Sequence, residues 1–295
     1  MKSISTITFA AVSLLFISGC GEHGLGGGAY QATSVVVLPP DLNADTSNES
    51  GGDVESGGDD GAGDSAGSGP GGFSGRVLLT GTAPQLSPIF AQGADVKDAE
   101  SCSAEEMPNE KLVIGSDHGV ANVFIYMQKA PKGTPKPVPG EEAVVFDQKN
   151  CRFLPHCLVV PVGQTVKVLS DDSVGHNTHS YPSRNTAVNQ TVEPGDREGK
   201  LAFAYKSSER EPVRLVCDFH TWMSAWHLPV DHPYVALTDA NGNFEIQDLP
   251  AGNHVFTVWH EAAKGKFVQR KLKVTIQPGQ TTTQEIEYPA SLLDL

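Results

Sequence analysis

From about residue 73 to the C-terminus the apolar residues come in short runs, many alternating with polar neighbours. The 3.6-residue recurrence of an amphipathic helix is nearly absent. β-Branched and aromatic residues dominate the runs, and Gly, Pro, Asn and Asp bound them. This pattern predicts strands over 75–80, 120–127, 143–147, 157–161, 164–169, 201–206, 213–217, 235–238, 244–246, 254–260, 267–276 and 282–288. Asn241-Gly242 and Pro250-Ala251-Gly252 supply turns between them. So many short strands at this spacing predict an all-β, antiparallel sandwich architecture. The stretch 87–109 is the least strand-like and is expected to be a short helix or an irregular loop. Asp239-Ala240-Asn241-Gly242-Asn243 has some of the acidic and amide spacing of a calcium loop. Phe244 stands where an EF-hand requires Gly, so the segment reads as a hairpin turn.

The first nineteen residues follow another pattern. Lys2 is followed by no charged residue from 3 to 19. That run is too short and too dotted with Ser and Thr to span a membrane as a helix, and it suits the core of a signal peptide. Ile17-Ser18-Gly19-Cys20 resembles the bacterial lipobox, which implies acylation of Cys20. Gly21, standing where an Asp resembles an inner-membrane retention signal, implies an outer-membrane address. Residues 20–72 read as a lipidated, disordered tether rich in Gly, Ser, Asp and Asn, unable to bury enough apolar surface to offset its ordering entropy. From 21 to 72 it holds nine acids and no Lys or Arg, so self-repulsion extends it. The net charge of −14 is concentrated there; the remainder has 26 acids against 20 bases. Nothing in this distribution marks a nucleic-acid binder. The expected address is the cell envelope, with the membrane contacted through lipid.

The last part of the chain has a rhythm of its own: Val235-Ala236-Leu237, Asn243-Phe244-Glu245-Ile246, Leu249-Pro250-Ala251-Gly252, Val255-Phe256-Thr257-Val258. It resembles the small β-sandwich modules related to carboxypeptidase regulatory domains and transthyretin. Gly75-Arg76-Val77-Leu78-Leu79 resembles the usual first strand of such a module. The resemblance implies a module over 231–295, completed by strand 75–80, with the intervening domain inserted between the two ends.

Chemistry is concentrated in Cys217-Asp218-Phe219-His220-Thr221-Trp222-Met223. A strand delivers Cys217, and the following loop brings an imidazole and a thioether close enough to face the same ion. Soft sulfur with imidazole favours copper, and one Cys, two His and a weak axial Met form a blue-copper site. A second histidine is needed from elsewhere, and Asp172-Ser173-Val174-Gly175-His176-Asn177-Thr178-His179 offers two, His176 and His179. Three residues apart in an extended segment, they point to opposite faces, so one of them at most is a ligand. Each residue alone has an ordinary structural explanation, since Cys and Met are common in cores; their coincidence at this spacing is what points to metal.

The pairing of His-Asn upstream with Cys-x-x-His-x-x-Met downstream resembles the cupredoxins, the amicyanin-like ones in particular. The resemblance implies a Greek-key β-sandwich over 73–230 holding one type 1 copper through His176, Cys217, His220 and Met223. Asn177 is then expected to bond across to the Cys-bearing loop. It implies electron transfer with redox protein partners, His220 as the exit and Phe219, Trp222 and Trp226 as the docking surface around it. No second His cluster, bridging Cys pair, phosphate loop or nucleophile elbow is evident, so the chain reads as a carrier and not an enzyme. The alternatives are a non-redox lipid-anchored binding module and a copper storage or delivery protein.

With Cys20 assigned to lipid and Cys217 to metal, Cys102, Cys151 and Cys157 remain, allowing one disulfide. Cys102 and Cys151 lie in polar surroundings and are the candidate pair, whereas Cys157 leads into Leu158-Val159-Val160 and is expected to be a buried free thiol. Spacing alone does not decide connectivity. The other histidines carry no ligand spacing: His156 reads as a half-exposed strand residue, and Trp259-His260-Glu261 as a surface edge.

Overall fold

The computed structural model describes residues 69–295. The signal segment, Cys20 and all but the end of the tether lie outside the described residues. Two strands come first, β1 (Gly71–Thr80) and β2 (Phe124–Tyr126), separated by a long segment whose one α-helix is the single turn α1 (Ala99–Cys102). Nine strands follow: β3 (Val144–Lys149), β4 (Arg152–Leu154), β5 (Cys157–Pro161), β6 (Thr165–Val168), β7 (His176–Tyr181), β8 (Asn189–Val192), β9 (Leu201–Ala204), β10 (Val213–Val216) and β11 (Ser224–Val230). The chain closes with β12 (Val235–Leu237), β13 (Asn243–Leu249), β14 (Gly252–Trp259), β15 (Phe267–Ile276) and β16 (Thr281–Pro289). The fold is all-β.

Four sheets make two sandwiches. The first has a five-stranded sheet, β5-β11-β10-β7-β8, and a four-stranded sheet, β4-β3-β6-β9. Most of its pairs are antiparallel, but β3 runs parallel to β6 and β5 parallel to β11, so the chain crosses between layers. The second sandwich is built from both ends of the chain, in sheets β13-β1-β16 and β12-β2-β14-β15. β1 lies between β13 and β16, and Gly75 is what lets it: a Cβ there would come 1.8 Å from the Gln284 carbonyl oxygen.

The two ends of the chain therefore meet, but the division at 73–230 and 231–295 does not describe the sandwiches. Besides β1, the C-terminal module takes β2, which pairs with β12 and β14. The reason is burial. Phe73, Val77 and Leu79 from β1, and Val123, Ile125 and Met127 around β2, all enter one core with Phe256, Val258, Ile276 and Ile286. Each large side chain so buried contributes about 1.5–3 kcal/mol, and none of it is available in the first sandwich. That sandwich is confined to β3–β11, around Phe146, Phe153, Leu158, Val160 and Leu215.

A third cluster joins the two. β5 and β11 are buried on both faces: Leu158 and Val160 turn to their own core, while Cys157, Val159, Trp226, Leu228 and Val230 meet Phe124, Tyr126 and Trp259 of the module. Strands buried on both sides lose apolar–polar alternation, which is why Ser224–Val230 carries no strand signal in the sequence. Cys157 is a free thiol in this interface, its pKa raised well above the usual value by burial.

Candidate metal centre

Cys217 follows β10 directly, and the loop to β11 is closed tightly. The Met223 N–H donates to the His220 carbonyl at 2.9 Å, and the Cys217 N–H donates to the Met223 carbonyl at 3.3 Å. His176 opens β7, the neighbour of β10 in the same sheet. The result brings His176 Nδ1 within 3.0 Å of His220 Nδ1, and Cys217 Sγ within 3.9 Å and 3.8 Å of the two nitrogens. All three residues are buried, as is Met223 in the same cluster. Among the described residues, converging groups of His, Cys and acidic ligand atoms occur only here.

Asn177 joins the two segments. Its Oδ1 accepts from the Asp218 N–H at 2.6 Å, its Nδ2 donates to Asp218 Oδ2 at 2.7 Å, and its own N–H points to Cys217 Sγ at 3.5 Å. His179 falls on the opposite face of β7, stacked on Tyr181 and bonded through Nδ1 to Asp218 at 3.0 Å. It is not among the converging ligands.

Both facing imidazoles are fixed from behind by carboxylates. His176 Nε2 donates to Asp172 at 2.8 Å, and His220 Nε2 donates to Asp98 at 2.9 Å. Asp172 also accepts the N–H groups of Asn150 and Cys151, at 2.6 and 2.9 Å. Those two residues share left-handed backbone, φ 50° and 52°, which aims successive N–H groups at one anion. Burial alone would raise the Asp172 pKa, but the His176 ring and these donors hold it below the usual carboxylate value. Burial likewise opposes the charged forms of His176 and Cys217. The Asp172 carboxylate nevertheless lifts His176 to about 8, and the two imidazoles lower Cys217 to about 6.

These bonds decide whether a metal fits. With each Nε2 committed as a donor, both Nδ1 atoms turn to each other and to the thiolate; a proton on either is shared with the sulfur, and in the neutral rings these nitrogens are free to take a metal. Three such donor atoms at these distances can share protons or enclose one cation. A point equidistant from all three is about 2.1 Å from each, the scale of first-row metal bonds, which for zinc are about 2.0–2.1 Å to imidazole and about 2.3 Å to thiolate. One Cys and two His in a trigonal array is the core of the blue-copper donor set, with Met223, buried in the same cluster as Cys217, the candidate axial ligand, and the residues fit that ion.

The expected docking surface needs correction. His220 is 0% exposed, not an outward edge. The segment between β1 and β2 covers it: Asp98 bonds its outer nitrogen, and Phe90 packs on Trp222, which in turn packs on the His220 ring. Trp226 is 8% exposed and faces the other sandwich, its ring 4.9 Å from that of Trp259. Alternation along β11 turns it away from the loop. Phe219 alone of the four remains open, at 39% exposure, beneath Lys97 Nζ.

A disulfide joins Cys102 to Cys151 and ties this covering segment to the turn that holds Asp172. Cys102 and Cys151 offer sulfur atoms within 4.8 Å of a His220 nitrogen, and Cys151 and Asp172 offer atoms within 4.8 Å of a His176 nitrogen. Replacing both cysteines with Ser frees a loop of 49 residues, a loss of about 4 kcal/mol in the chain-entropy account. Denaturant unfolding of the double variant should show that loss as a lower midpoint.

Two other expectations are overturned. His156 is buried and paired with Glu261, and Trp259, His260 and Glu261 are all buried instead of forming a surface edge. His227 is a core residue against Phe146 and Tyr205, its pKa pushed down to about 3 by burial.

A family model described as polysaccharide lyase family 4, domain II, matches residues 220–284, from the ligand loop to β16. Among solved structures, the chain is similar to a purple cupredoxin from Nitrosopumilus maritimus, at 24% identity, covering 30% of this chain and 100% of that one, with a TM-score of 0.25. It is also similar to amicyanin from Paracoccus versutus, at 12% identity, 37% and 99% coverage and a TM-score of 0.26. A copper-containing nitrite reductase from Thermus scotoductus matches at 17% identity and a TM-score of 0.27, covering 32% of this chain and only 23% of the reductase. No curated protein sequence matches the chain.

Proposed function

We propose that this chain is a cupredoxin-type, mononuclear blue-copper protein that carries single electrons between protein partners. The observation that carries this reading is the convergence of His176 Nδ1, His220 Nδ1 and Cys217 Sγ at 3.0, 3.8 and 3.9 Å with both outer nitrogens already occupied. Bound by these residues and Met223, copper supplies a one-electron couple. The residues supply rigidity: Asn177 locks the two ligand segments together, and the surrounding core excludes water. Little reorganisation then accompanies the change of charge. Burial of every His and Cys donor leaves no open face for a substrate, which supports a carrier over an enzyme, and it opposes the ready ion exchange of a delivery protein. We place the protein on the cell envelope, held by lipid on Cys20 through the acidic tether.

A reductive titration of the copper-loaded full chain tests this. One electron per chain should bleach the colour, and reoxidation should restore it without loss of metal. Copper passing to a chelator during one cycle would favour storage or delivery. The ligand assignment has its own check in two variants. His176→Gly should open a coordination position and alter the copper electron paramagnetic resonance spectrum, whereas His179→Ala should leave it unchanged. The reverse result would show that the wrong histidine has been assigned.

A further inference from the structure

Asp98 lies 122 residues before His220 in sequence, yet its carboxylate is the group that accepts from the outer nitrogen of that imidazole. It comes from the covering segment between β1 and β2, immediately before α1, in left-handed backbone at φ 55°. That segment is held in place by the Cys102–Cys151 disulfide at the end of α1, by a bridge between Phe90 and Met107, and by the packing of Phe90 on Trp222. The two carboxylates behind the ligands therefore differ. Asp172 is buried and bound by two backbone N–H groups, whereas the Asp98 side chain is 36% exposed and its carboxylate has no other hydrogen-bond partner among the described residues.

We propose that Asp98 is a redox-linked latch: a positioning residue that holds His220 more strongly when the metal is oxidised, so that the covering segment closes on the oxidised centre and loosens on the reduced one. The inference rests on the copper reading. An imidazole bound to the more highly charged ion gives up electron density, which makes its Nε2–H a stronger donor toward a carboxylate. The anion also offsets the extra positive charge directly, through a contact whose His220 side is buried. Linkage makes the effect reciprocal. If oxidation tightens the Asp98–His220 bond by some factor, closure of the segment favours oxidation by the same factor. The couple is Cu(II) plus one electron to Cu(I), the electron arriving from a one-electron donor and leaving to a one-electron acceptor. No covalent bond or proton need move. Reduction then frees the segment to uncover the outer edge of His220.

The test uses the copper-loaded full chain and two variants, Asp98→Asn and Asp95→Asn. Asp95 is an exposed acid on the same segment, so its variant removes an equal charge without touching His220. Asp98→Asn should keep the colour and raise the reduction potential by about 59 mV, which is tenfold in the relative affinity for the two oxidation states. Asp95→Asn should move it far less. Amide hydrogen exchange of the native protein over residues 94–103 should be faster in the reduced state, and Asp98→Asn should erase the difference. Equal potentials in the two variants, or exchange in the native protein that ignores oxidation state, would overturn the latch. The copper reading fails separately, and first, if the native protein binds no coloured copper at all.

Discussion

Cys217→Ser, loaded with copper, will be colourless. The intense colour expected of the native protein arises from charge transfer out of the Cys217 thiolate, and a hydroxyl has no comparable electron pair to give. The site lowers the thiol pKa to about 6 through the two imidazoles, so the thiolate is the form present near neutrality. Serine at the same place remains protonated. Its neighbours are untouched: His176 and His220 still face each other at 3.0 Å, each held by its carboxylate. Copper should therefore still bind, with affinity reduced by at least the roughly 10–100-fold that loss of an outer-shell partner costs. Visible absorption and metal analysis on the same sample separate the two effects. A variant that keeps the native colour would place the metal elsewhere.

The largest loss of stability should come from a pair remote from the ligands. His156, at the start of β5, and Glu261, just after β14, are both buried and bonded to each other, so the contact clasps one sandwich to the other. Glu110, itself bound to Arg152, faces the far side of the His156 ring, and Lys266 donates to the Glu261 carbonyl. Removing one member leaves the other charge buried and uncompensated, at about 3–5 kcal/mol. Glu261→Ala should show a loss of that size near pH 6. Burial disfavours the charged form of both groups, but each partner overcomes it, so the His156 pKa is raised above 6.5 and the Glu261 pKa is lowered below 4.5. The His156 contribution is complete below pH 6.5 and is lost as pH rises through its raised value. The Glu261 contribution is complete above pH 4.5 and is lost as pH falls through its lowered value. The stability difference between native protein and Glu261→Gln should therefore be greatest between these limits and shrink on the alkaline side. Unfolding curves at a series of pH values check the window; a difference that grows above pH 8 would contradict it.

These two sites show what could be read from the sequence and what could not. Cys217, His220 and Met223 sit in one loop, and His176 stands directly before Asn177, so local spacing alone brings them forward. The parity of β7 separates His176 from His179 for the same reason. The Asp239–Asn243 turn is also local, with the Asp239 carboxylate accepting from the Asn241 and Asn243 N–H groups. Asp98 and Asp172 carry no motif: one is far from its partner in sequence, and the other depends on a left-handed turn at Asn150 and Cys151. The His156–Glu261 clasp spans 105 residues and two sandwiches. The sequence puts Trp226 near the ligand loop because proximity in sequence ignores which face of a strand a side chain takes. The sequence does not distinguish which sandwich takes β2, because its apolar residues suit any β core; the pairing with β12 and β14 comes only from topology.

If two imidazoles and a thiolate hold one copper ion in a trigonal array, the electronic structure of that ion reports it. Electron paramagnetic resonance of the full chain carrying one Cu(II), read beside its visible spectrum, tests it most directly. Covalent sharing of the unpaired electron with Cys217 sulfur should give a narrow copper hyperfine splitting together with an intense visible band. A wide splitting with weak colour, as from copper in a tetragonal site of nitrogen and oxygen ligands, would rule that array out.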